Sequence, residues 1–155
     1  MSERSDDVRA SMTIPADLRH LADVRRFVRE ITRREGASTG DTDDLIQAVD
    51  ECVTNVIVHG YEGTPGSIDV AVVRRADQLA VSVRDGARPF DPTSVPTPDL
   101  AAPLETRRPG GMGVHLIREL TDEVVHHPLS PQGNELTMVK RIDPSRGGSD
   151  RGDAS

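Results

Sequence analysis

The sequence predicts an α+β domain, a two-layer α/β sandwich with a mixed or antiparallel sheet and helices on one face. Three observations lead there. Two apolar runs with period-two alternation, Ile68 to Val73 and Leu79 to Val83, are separated by a short polar stretch and read as a hairpin. Two amphipathic helical patterns precede that hairpin and a third follows it. Strands and helices are therefore grouped, and the strict alternation of a doubly wound sheet is not seen. Finally, aromatic residues make up 2% of the 155 residues, so Val, Leu and Ile must fill the core.

The length suits one domain with a real core, expected over residues 8–142, with residues 1–7 and 143–155 as flexible tails. The formal net charge of −7 argues against direct nucleic-acid binding and against an anionic membrane surface. The single cysteine, Cys52, excludes an intramolecular disulfide and a cysteine-rich metal site. It sits near a buried stripe and reads as a small packed residue rather than a nucleophile. No stretch resembles a signal peptide or approaches ~18 apolar residues, so a soluble cytoplasmic protein is expected.

Val8 to Ile14 reads as the first strand, closed by Pro15. Ala16 or Asp17 opens a helix to about Glu35, where Gly36 stops it. Its stripe is Leu21, Val24, Val28 and Ile31, with Phe27 nearby. Arg25, Arg26, Arg29 and Arg33 lie away from that stripe, as a solvated basic face or as a contact surface for an acidic partner. Gly40 to Asp44 supplies turn and N-cap residues for the central helix, the most regular in the chain. Leu45, Val49, Val53, Val56 and Ile57 form its buried face. Its end is expected near His59-Gly60, with Gly60 as the C-terminal cap.

The two hairpin strands follow, with the turn in Arg74 to Gln78. From Asp85 to Gly111 no periodic pattern survives, and six of the chain's 11 prolines fall there. A connection that long inside a compact domain is usually functional or disordered. A helix is expected from about Met112 to Leu120, then strands over Glu123 to His127 and Glu135 to Ile142. The closing SRGGSDRGDAS has a disordered composition.

Three places could carry chemistry. On the central helix Glu51, Asn55 and His59 are each four apart and stack along one side. An Asn oxygen is a hard, neutral ligand for Mg²⁺, and a Glu one turn earlier could take a proton from a nucleophile. The same spacing also arises on any amphipathic helix. Asp85-Gly86-Ala87 ends a strand; its carboxylate could accept a hydrogen bond from an exocyclic amine, or the three could be an ordinary turn. Gly110-Gly111-Met112-Gly113 introduces a helix whose free amides favour phosphate, or merely caps it. No Walker sequence or convincing Rossmann fingerprint is present.

Taken together and in order, these motifs resemble the nucleotide-binding signature of the GHKL ATPase superfamily. ECVTNVIVHGYEG looks like its N box, DGARPFDP like its first glycine box and GGMGVHLIRELTDEV like its second. The closer resemblance is to RsbW-like anti-sigma factor serine/threonine kinases. It includes Pro89 to Pro92, Asp122 to Val124 and the closing strand Gly133 to Thr137. It covers about residues 8–142.

That resemblance implies the Bergerat ATP-binding fold, with Asp85 to Gly113 forming a mobile lid and its hinges. It makes Glu51 the general base, Asn55 the Mg²⁺ ligand and Asp85 the carboxylate that reads adenine. Ala87, Gly111, Met112, Gly113, Val114 and Thr137 would complete the ATP-binding set. Ala87 departs from the family's usual glycine and could narrow the adenine pocket. Arg107 and Arg108 could meet the phosphates or be solvated loop charges. His59, His115, His126 and His127 read as structural or solvated. The implied partners are a STAS-domain anti-anti-sigma factor, which would be phosphorylated, a sigma factor, which would be sequestered, and a second copy of the chain in a homodimer. The alternative is a non-catalytic, ATP-dependent partner-binding switch.

Overall fold

The computed structural model describes residues 7–88 and 111–142. The tails and the Pro-rich connection, with Arg107 and Arg108, lie outside the described residues, as does most of the expected lid.

Strand β1 spans Asp7–Pro15. Asp17, extended at φ −145°, accepts a hydrogen bond from the Arg19 amide and starts a 3₁₀ turn, Leu18–His20. The turn leads into helix α1, Leu21–Arg34. The expected helix thus begins as a capped 3₁₀ turn, and Gly36, at φ +97°, ends it as expected. Helix α2 spans Thr39–Asn55. Its cap is Ser38, ahead of the expected Gly40 to Asp44. The Ser38 hydroxyl oxygen accepts from the Asp41 amide at 3.0 Å, satisfying one of the donors a helix start leaves open.

Helical winding does not stop at Gly60. It widens into a π-helical segment, Val56–Tyr61, and ends where Glu62 and Gly63 take positive φ values of 53° and 84°. Strands β2, Ser67–Arg75, and β3, Gln78–Asp85, form the expected hairpin. Helix α3, Gly111–Leu120, precedes strands β4, Glu123–Pro128, and β5, Asn134–Arg141.

The sheet order is β1-β2-β3-β5-β4 and every pairing is antiparallel. The α+β sandwich stands, and of the two sheet types left open by the sequence the mixed one falls away. The reason lies in the last two strands. The α3 crossover would set β4 parallel beside β3, but β5 inserts between them, a split βαβ arrangement.

One face of the sheet meets the helices. Ile68, Val70 and Val72 of β2, Leu79, Val81 and Val83 of β3, and Leu136 and Met138 of β5 pack against Val24, Val28 and Ile31 of α1 and Leu45, Val49 and Val53 of α2. Each such side chain contributes roughly 1.5–3 kcal/mol on burial. The alternate residues face away and form a small second cluster, Val73, Ala80 and Val139. Three of the four basic residues expected on the outer face of α1 have partners within the chain. Arg25 bonds Asp50 on α2 at 2.7 Å, Arg26 pairs with Asp23, and Arg33 donates to the Thr39 hydroxyl.

Candidate active site

Leu79, Val81 and Val83 occupy every second position of β3 and face the helices. The next position in that row is Asp85. A carboxylate therefore takes the place of an aliphatic side chain at the end of a core-facing row, 9% exposed. Its Oδ1 accepts from the Ala87 amide at 2.9 Å and from the Asn134 amide nitrogen at 3.1 Å. Among the described residues nothing donates to its Oδ2. Burial pushes the Asp85 carboxyl above its ordinary value, while the bonds from Asn134 and Ala87 and the nearby His126 hold it down. A buried acceptor oxygen at a strand end, without a donor among the described residues, is the chemistry an exocyclic amine requires.

The segment after Asp85 is gripped from two sides. The Tyr61 hydroxyl donates to the Ser67 carbonyl at 2.8 Å and accepts from the Gly86 amide at 2.6 Å. From the β4–β5 turn, Gln132 donates to the Gly86 carbonyl at 2.9 Å and Asn134 to the Arg88 carbonyl at 3.0 Å. Gly133, at φ +126°, lies so close to Asp85 that a Cβ there would stand 2.5 Å from the Asp85 carbonyl oxygen. Ala87 is buried and turned to the π segment, beside Gly60.

Glu51 and Asn55 lie one turn apart at the C-terminal end of α2, both half-buried. Neither side chain has a hydrogen-bond or ion-pair partner among the described residues, so neither caps the helix. Between them Cys52 is fully packed. Burial, then the negative charge of Asp85, push its thiol up to about 12, so it is an inert core residue. His59 does not complete the stack. It falls in the π segment and is exposed, whereas Glu51 and Asn55 are half-buried.

Gly111, Met112, Gly113 and Val114 form the first turn of α3, which packs on α2. Helix starts present amides without intrahelical acceptors. No group of three or more His, Cys, Asp or Glu able to hold a metal forms among the described residues. A Mg²⁺ ion here would depend on Asn55 together with water and phosphate oxygens, which is how that ion is commonly held.

The structure does not bring Thr137 to the others. In β5, Leu136 and Met138 face the helices while Val139 belongs to the cluster on the opposite face. Thr137 shares that opposite face and pairs across Ser82 and Val125. The β5 residue that reaches Asp85 is Asn134, which sequence reasoning passed over. The signal was there, because counting back by two from Met138 and Leu136 arrives at Asn134.

The histidine kinase-like ATPase domain matches residues 14–140. Serine-protein kinase RsbW of Bacillus cereus is 28% identical over 146 residues, covering 92% of this chain and 89% of that protein. The namesake from Bacillus thuringiensis is equally similar, at 28% over the same span. Among solved structures, the RsbU and RsbW domains of Rv1364c from Mycobacterium tuberculosis share the fold with a TM-score of 0.59 and 24% identity. That match covers 86% of this chain and 32% of the larger one. The SiaB-SiaC complex from Pseudomonas aeruginosa contains a chain with a TM-score of 0.63 at 16% identity, matched over 85% of this chain and 89% of that one.

Proposed function

The chain belongs to the histidine kinase-like ATPase family and is a protein serine/threonine kinase of the RsbW-like branch; from that premise we propose that it binds Mg-ATP and phosphorylates a STAS-domain anti-anti-sigma partner. In its other state it holds a sigma factor away from RNA polymerase. The observation that carries the nucleotide reading is Asp85. It is a buried carboxylate with one oxygen fixed by two donors and the other without a donor among the described residues.

Mg-ATP, when bound, would supply the γ-phosphoryl group, and its Mg²⁺ would offset negative charge on the phosphates. The chain's own residues do the rest. Asp85 accepts from the exocyclic amine and orients the base. The amide oxygen of Asn55 offers a metal ligand, and the first amides of α3 face negative charge. Glu51 takes the proton of the incoming Ser or Thr hydroxyl as that oxygen bonds to phosphorus and the bond to the bridging oxygen of ADP breaks. That the Glu51 carboxylate has no partner among the described residues supports this role over a switch without catalysis.

The added phosphate brings roughly −1.5 to −2 charges to the partner. On a surface that meets acidic groups of the kinase this favours release, and the sigma factor is recaptured. A homodimer and a cytoplasmic location complete the proposal. No helix among the described residues is long and apolar enough to cross a membrane. The test is phosphorylation-site mass spectrometry on the candidate STAS partner after incubation with this protein and Mg-ATP. A single modified Ser or Thr is expected. An unmodified partner, with active controls, overturns the kinase assignment.

A further inference from the structure

Behind Asp85 stands a second polar group that the kinase reading leaves unused. His126 lies on β4, in the helix-facing row with Val124 and across from Leu136 of β5. Its Nε2 is 3.0 Å from the Asn134 amide oxygen. The nitrogen of the same amide donates to Asp85 Oδ1 at 3.1 Å and to the Arg88 carbonyl at 3.0 Å. These contacts define each other. The Asp85 carboxylate oxygen and the Arg88 carbonyl are pure acceptors, so the nitrogen must point to them. The amide oxygen then faces His126, which must carry its proton on Nε2. A turned amide would set oxygen against two oxygens.

We propose that His126 and Asn134 form a positioning relay that sets the purine specificity of the site, making it selective for a 6-amino purine over a 6-oxo purine. The inference rests on the nucleotide reading above. The Nε2 proton of His126 fixes the amide, the amide nitrogen commits to Asp85 Oδ1, and Asp85 presents only Oδ2 to the base. An exocyclic amine donates to that oxygen. A 6-oxo group meets it oxygen to oxygen, and the Asn134 amino group is committed to Asp85 Oδ1 and the Arg88 carbonyl. Without the His126 contact the amide is held at its nitrogen alone and can tilt from Asp85 Oδ1 toward the base, where the same nitrogen can donate to a 6-oxo group, so discrimination falls. His126 and Asn134 are positioning residues, since both act through Asp85.

The test measures dissociation constants of ATP and inosine triphosphate on the full chain, for wild type and for H126Q, H126N, H126L and N134L. The thermal midpoint of each variant is recorded alongside. Glutamine places its amide nitrogen near the position of a histidine Nε2, whereas asparagine falls short of it. Wild type is expected to prefer ATP roughly a hundredfold or more. In H126L, H126N and N134L that preference narrows roughly tenfold or more, and H126Q restores it. A purely structural His126 would lower the midpoint and leave the preference intact, which overturns the relay. Equal preferences in H126Q and H126N also overturn it, even where H126L fails to fold. Nitrogen-resolved NMR of wild-type His126 adds a readout that needs no variant, since a bare Nε2 is incompatible with the relay. Wild type that binds neither nucleotide sinks the nucleotide reading itself. Wild type that binds both equally sinks only the specificity inference.

Discussion

Gly60 of the π segment and Ala87 beyond β3 touch, and a methyl built on Gly60 would stand 3.3 Å from the Ala87 Cβ. The Ala87 methyl finds room there because the residue opposite it carries no side chain. The Ala87 methyl is buried against the small residue opposite it, 4% exposed. The two positions form a packed pair, and a second methyl forces them apart. Gly60→Ala is expected to cost about 1 kcal/mol, at the low end for overpacking. Ala87→Gly in the same background should recover part of that loss, a coupling of about 0.5 kcal/mol or more in a double-mutant cycle. Urea midpoints of the four proteins measure it, and strict additivity would refute the contact.

Glu51 has no structural partner to lose among the described residues, so its replacement should separate chemistry from folding. Glu51→Gln is expected to leave the thermal midpoint and the ATP dissociation constant within a few-fold of wild type. Phosphotransfer should drop roughly 10²- to 10⁴-fold, the range of a general base. Single-turnover phosphorylation of the STAS partner reads the loss.

Asp85 ties stability to pH in the direction opposite to most carboxylates. Its folded-state pKa is raised, first by burial, above the ordinary 3.8. The folded chain therefore holds this proton more tightly than the unfolded chain does. As pH rises from below 3.8 through the raised value, this group's contribution to stability declines, and above that window its burial cost is in full. Asp85→Asn removes the charge while its amide oxygen can still accept from Ala87 and Asn134. The variant is expected to unfold at or above the wild-type midpoint at neutral pH and to lack this declining leg in a pH series. ATP affinity should fall roughly ten- to a hundredfold, the equivalent of one hydrogen bond to a charged group. A neutral-pH midpoint well below wild type would contradict the account.

Gly133 couples the β4–β5 turn to the end of β3. An alanine there meets the Asp85 carbonyl at 2.5 Å and must hold φ near +126°. Because the opposing atom is backbone, relief requires the strands to shift. Gly133→Ala is expected to cost on the order of 1–3 kcal/mol. It should also weaken ATP binding by moving Asn134 away from Asp85. Chemical denaturation and nucleotide titration test the two effects on one sample.

Much of this architecture was readable because alternation and helical periodicity are local. The β2 and β3 rows, the α1 stripe and the helix opening on the Gly111 motif all follow from side-chain spacing. Asp85 was legible twice, as a motif residue and as the continuation of a buried row. Thr137 shows the opposite. The motif match selected it, yet the alternation of its own strand turns it to the far face. The π segment escaped because its end was sought at a glycine. A different sign was available. Leu45, Val49, Val53, Ile57 and Tyr61 are buried at a strict four-residue interval, longer than the 3.6 of an α-helix, and a wider turn restores the stripe to one side. The grip of Tyr61, Gln132 and Asn134 on Gly86 and Arg88 joins residues distant in sequence, and no local pattern announces it.

The Tyr61 hydroxyl bonded to the Gly86 amide also gives the protein a built-in optical probe. The chain holds one tyrosine and no tryptophan, so ultraviolet fluorescence excited beyond the absorption of its two phenylalanines comes from this one ring. The phenol is tethered to the residue after Asp85 at 2.6 Å. Whatever moves that segment changes the hydrogen bonding of the fluorophore itself. Emission from the unlabelled protein therefore follows a single locus, where other proteins report an average over many rings.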